Sequence, residues 1–216
     1  MTAGPLASTT APGTAMHVWQ LADADGLADR THPWTGSLAD PAHRHLDLRG
    51  EPGLIRTALE DLRVWRRYPA TETFYRLLEW LNGPSSSLES SDCALSGPAP
   101  NESPAVPKAL DCSGRLIVLF RDLPLNRDEA RLGALTQGLA RAVAGVDFEW
   151  GAVGLTLVPV RFTTLPGPAS EQLGFQLMLS FWAWGDDEAE AMAHLARTLG
   201  VLEAALRRAA PGPGVG

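Results

Sequence analysis

The histidines are the side chains of this sequence best suited to chemistry, and four of the five lie between positions 17 and 45. In His43-Arg44-His45-Leu46-Asp47, an extended backbone turns His43, His45 and Asp47 to one side, because side chains alternate across a strand. Two imidazoles and a carboxylate are a competent set for a divalent metal. Only His194 lies downstream to complete such a site, so no metal ligand is assigned and the stretch reads as a polar loop. Asp92-Cys93 sets a carboxylate beside a thiol. A thiol attacks as the thiolate, which a cation or a helix start must favour. Glu89 and Asp92 disfavour it, so Cys93 reads as a small buried apolar residue. Cys93 and Cys112 could pair, but without a secretion signal free thiols are expected. Glu89 with Asp92 could hold a cation, cap a helix or mark a solvated turn.

The histidine stretch resembles the H-x-H-x-D-H motif of metallo-β-lactamase-like hydrolases, but Leu48 stands where the last histidine belongs and no apolar strand leads into it. The phosphate-loop, dinucleotide and nucleophile-elbow signatures are absent as well. Nothing in the motifs asks for a cofactor. Arg63, Arg66, Arg67 and Arg76 surround Trp65 and Tyr68. Guanidinium forks suit phosphate or carboxylate. Three of them also fall near an expected helix C-terminus, where cations offset the macrodipole, and that reading is preferred. The tryptophans number seven against two tyrosines. Trp182 and Trp184 share one side of an expected strand, and Trp150 falls on or near its hairpin partner. Large aromatics there line a groove, form a partner surface, or are buried beneath packed helices; the last is preferred. The candidate binding residues are Trp150, Trp182, Trp184, Glu89 and Asp92, and no catalytic residue is assigned.

These residues need elements to hold them. The chain has 216 residues, 45% of them hydrophobic, which is ample for a packed core. No apolar run approaches the ~20 residues of a membrane span. The net charge of −7 argues against a nucleic-acid binder, which needs a basic face. Of the eighteen basic residues only Lys108 is lysine. A cytoplasmic setting is expected, since no secretory signal opens the sequence.

Residues 1–15 and 210–216, small and rich in Gly and Pro, are expected to be disordered, and 16–209 to form one α+β domain. Within it, 16–82 is an N-terminal helical part. Pro52 opens a helix whose face carries Leu54, Ile55, Ala58, Leu59, Leu62 and Trp65, and Tyr68-Pro69 closes it. Phe74, Leu77, Leu78 and Leu81 mark a second helix that stops at Asn82-Gly83, giving a helical hairpin. Residues 83–114, half Ser, Pro and Gly, read as turns and exposed chain.

The part 115–209 reads as β-α-β-β-α. It comprises a strand over 115–122, a helix over 126–144 boxed by Asn126 and Glu129, strands over 148–164 and 172–184, and a helix over 186–209 that starts at Asp186 or at Asp187, the latter boxed with Glu190. The alternation changes phase at Val158, which suggests a bulge beside Pro159. The order matches the ferredoxin-like split βαβ arrangement by analogy, with a last strand missing. Residues 17–21, 88–95 or a partner chain could supply it. With no catalytic set in view, the expected function is a non-catalytic binding or adaptor module for a protein partner or for a second copy. One form is an immunity-type inhibitor of a basic partner. The alternatives are a small-molecule enzyme with a pocket between sheet and N-terminal helices, and a structural oligomerisation module.

Overall fold

The computed structural model describes residues 16–17, 28–32, 47–57, 59–164 and 172–210. Its strands are β1 (Met16–His17), β2 (Ala28–His32), β3 (Leu88–Pro100), β4 (Leu110–Phe120), β5 (Gly151–Thr164) and β6 (Gln172–Gly185). Its helices are α1 (Leu54–Thr57), α2 (Pro69–Asn82), α3 (Glu129–Val143) and α4 (Glu188–Ala209). The fold is α+β. One sheet runs β1-β5-β6-β4-β3, and β2 also pairs with β5. The four long strands are antiparallel neighbours, while β1 and β2 run parallel to β5.

The β4-α3-β5-β6-α4 unit is the split βαβ arrangement, since β6 lies between β5 and β4. The strand that this arrangement lacked comes from upstream: β3 pairs antiparallel with β4 along its edge. Residues 83–114 are therefore a correction. Composition favoured turns there, yet the stretch holds a whole strand of 13 residues and the start of another. Tertiary pairing overrode weak local preference. Gly97, Pro98 and Pro100 fall in the outer half of β3, where Pro is tolerated because one side of an edge strand is unpaired.

The N-terminal helices differ from expectation in detail. Pro69 opens α2 at its first position rather than merely closing the helix before it. The expected first helix is one turn of α1 followed by a 3-10 turn over Glu60–Trp65. Asp128, not Asn126, caps α3, accepting from the amides of Ala130 and Arg131. Asn126 is instead fully buried and grips the end of β4, bonding both the amide and the carbonyl of Phe120 at 2.8 Å. Asp187 caps α4, as its spacing to Glu190 indicated.

The expected bulge at Pro159 is absent. The β5–β6 register is unbroken from Gly151↔Ala183 to Phe162↔Gln172. The hydrophobic phase changes because burial changes sides along the strand. Val153, Leu155 and Leu157 join the main core, whereas Val160 and Phe162 join Leu119 in a small cluster on the opposite face.

The main core lies between the sheet and one helical layer. Leu177, Leu179, Phe181 and Ala183 point into it and are fully buried. The rings of Phe74 on α2 and Phe181 on β6 are 5.9 Å apart. Helix α2 packs against α4 and β3, and α4 packs against β6 and α3. All three long helices thus share one side. This corrects the expectation that the N-terminal helices bury Trp182 and Trp184.

Candidate surface on the sheet face opposite the helices

Alternation along β6 sends Met178, Ser180, Trp182 and Trp184 to the side away from the helices, and all four are half-buried. The register sets Ile117 and Thr156 beside Met178, Arg115 and Gly154 beside Ser180, and Ser113 and Ala152 beside Trp182. Asp111 pairs with Trp184. Gly154 matters here because the Trp182 indole lies against it: a Cβ at that position would stand 3.2 Å from the ring. The absence of a side chain at Gly154 thus leaves room for the Trp182 ring beside β5. The surface combines indoles with the hydroxyls of Ser113, Thr156 and Ser180.

Asp92 belongs to the same face, beside Ile117. Its carboxylate accepts from Arg115 Nε at 3.1 Å, so the pair cancels in charge. Glu89 lies at the other end of the face. It is 1% exposed and paired with Arg49 Nη1 at 3.0 Å, so it is a buried carboxylate reached by a half-exposed arginine rather than a surface contact. Two residues, and a strand bulge after Ser90, separate it from Asp92.

Trp150 immediately precedes β5, and its carbonyl accepts from the Trp184 amide at 2.8 Å. The Trp184 carbonyl in turn accepts from His194 Nδ1 at 2.7 Å. The Trp150 ring is covered by Lys108, whose Nζ stands 5.0 Å from the ring centroid. The same Nζ donates to Asp186 at 2.7 Å and to Glu190 at 2.8 Å. These carboxylates raise the Lys108 ammonium above its ordinary value. Glu190 is held low, chiefly by the Asp186 amide and then by Lys108. Burial pushes the Asp111 carboxyl up. Sequence reasoning put Trp182 and Trp184 on one side of a strand with Trp150 on or near its hairpin partner; in the structure Trp182 and Trp184 share one side of β6, and Trp150 meets Trp184 through the backbone. Sequence reasoning missed Lys108, although the only lysine of the chain was a signal in plain view.

The remaining candidates do not assemble. His43 and His45 lie outside the described residues. Asp47 accepts from the amides of Arg49 and Gly50, which commits its carboxylate to a turn. Among the described residues no group of three or more metal-ligating side chains occurs. Cys93 and Cys112 are both free thiols. Arg67 pairs with Glu188 at 2.7 Å and Arg76 reaches Thr73, so the arginines around Trp65 do not converge. Arg56 and Arg66 do line a hollow of about 360 Å³ with Thr71, Glu72 and Tyr75. There the Arg56 guanidinium is already taken by Glu72 and Glu79. Among the described residues no helix is long and apolar enough to cross a membrane. No family model, curated protein or solved structure matches the chain.

Proposed function

We propose that this protein is a non-catalytic binding module and that it recognises a protein partner through the Trp182–Trp184 part of the sheet face opposite the long helices. One observation carries the reading: the three long helices lie on one side, while Trp182 and Trp184 stand half-buried on the other. Indoles give large contact area at little conformational cost, which is why Trp is over-represented at the centres of interfaces. Neutralisation of Asp92 by Arg115 supports the reading, because desolvating an unpaired charge would oppose binding. A protein partner is favoured over a nucleic acid by the net charge of −7. Self-association by strand addition is disfavoured, since Pro98, Pro100 and two register shifts interrupt the outer strand β3. Two unpaired thiols fit a reducing compartment and support a cytoplasmic setting.

The test is affinity capture from the native host with the full chain and with Trp182→Ala/Trp184→Ala, both shown to be folded by circular dichroism. The expected result is a recurrent partner retained by the wild type and lost at least tenfold by the double variant. A partner retained equally by both would overturn the reading.

A further inference from the structure

Eighteen basic residues contain a single lysine, and that lysine sits between two carboxylates and an indole. Two carboxylates from different residues converge on its one nitrogen, Asp186 at 2.7 Å and Glu190 at 2.8 Å, and the Trp150 ring closes the third side at 5.0 Å. A point charge satisfies such a cage, whereas a planar guanidinium needs a fork of parallel acceptors. The Lys108 side chain is only 9% exposed. Lys108 arrives from the turn 101–109 between β3 and β4. Asn101 shapes that turn by donating to the carbonyls of Val106 and Lys108. The residues at its tip are largely exposed, so the lysine is its main tie to α4 and to the Trp150 end of the sheet. If the ammonium leaves, two carboxylates face each other without a cation and the indole loses its cover.

We propose that Trp150, Asp186 and Glu190 form an alkylammonium site that the chain fills with its own Lys108, and that a lysine presented by a basic protein partner competes for it and releases the 101–109 turn. The inference rests on the reading of the tryptophan face as a recognition surface. It adds the chemistry of the partner, a lysine side chain, and a strap that gates one end of that surface.

The full chain is compared with Lys108→Ala and Lys108→Met by amide hydrogen exchange and by tryptophan fluorescence. n-Butylammonium serves as the probe and n-butanol as its neutral control. In both variants exchange within 101–109 is expected to accelerate about tenfold or more, as loss of a charge-assisted pair implies. n-Butylammonium is expected to bind Lys108→Ala saturably and to restore slow exchange, with n-butanol inert. At the same concentrations the wild type is expected to be unresponsive, because its own lysine is tethered in place. Adding Glu190→Gln to Lys108→Ala should abolish the response. Unchanged exchange in both folded variants, or equal effects of amine and alcohol, overturns the proposal. That failure is distinguishable from failure of the surface reading: loss of partner capture by Trp182→Ala/Trp184→Ala alongside a silent Lys108→Ala sinks only the strap. Saturable ammonium binding with capture intact in the double variant sinks only the surface.

Discussion

At the scale of single residues, burial decides what the two thiols can do. The Cys93 thiol is pushed up to about 12 by burial and then by Asp92, and Cys112 to about 12 by burial and then by Asp111. Thiolate is therefore scarce near neutral pH. The native protein at pH 8 is expected to give almost no colour with a disulfide reagent such as dithiobis-nitrobenzoate, and to give both thiols after denaturation in guanidinium. Rapid labelling of either one in the native state would contradict the packing. The sequence indicated a poor nucleophile at Cys93, because neighbouring acids are visible in a sequence. Cys112 was less legible. Its sulfur lies 3.7 Å from that of Met192 on α4, a contact between residues 80 positions apart.

At the scale of elements, β3 shows how a weak strand is held. The Trp65 ring from the 3-10 turn lies directly on Gly97, where a Cβ would overlap the indole. Gly97→Ala is expected to cost about 1–3 kcal/mol in urea unfolding, through displacement of Trp65; a neutral substitution would show that the ring is not seated there. Helices α2 and α4 carry acids whose titration sets an acid limit. Glu72 is held low chiefly by Arg56, Glu188 chiefly by the Tyr68 hydroxyl, and Glu190 chiefly by the Asp186 amide. Such a carboxyl takes its proton at a lower pH folded than unfolded. Its stabilisation is therefore complete above the unfolded value of about 4.3 and is lost as pH falls through the folded one. Asp111, raised by burial, acts in the opposite sense. With three groups against one, the melting temperature should be lower at pH 3.5 than at pH 5.5. Glu190→Gln should reduce that difference. Helix caps and strand alternation in these elements were legible because they are local. The 3-10 turn and β3 were not, since their partners are distant in the chain.

At the scale of the whole molecule, the unequal layers make a direct prediction. Phe181 and Trp182 are sequence neighbours on opposite faces of β6. Phe181 is fully buried under the helices and Trp182 is half-buried on the opposite side. Phe181→Ala should cost about 3–5 kcal/mol, and Trp182→Ala less than about 2 kcal/mol, because less apolar area leaves water on folding there. Comparable losses in chemical denaturation would mean that both faces are core. The sequence by itself determined the α+β class, the β-α-β-β-α order, the cap of α4 and the pairing of Trp182 with Trp184 on one side of a strand. Each of these follows from periodicity or spacing within a few residues, where backbone geometry fixes which side chains are neighbours. Only the tertiary structure decided that α2 joins α3 and α4 on one face, that a Ser-, Pro- and Gly-rich stretch completes the sheet, and that Lys108 meets Asp186, Glu190 and Trp150. Those outcomes depend on which surfaces bury the most apolar area together. That comparison is made over the whole chain, and no local pattern encodes it.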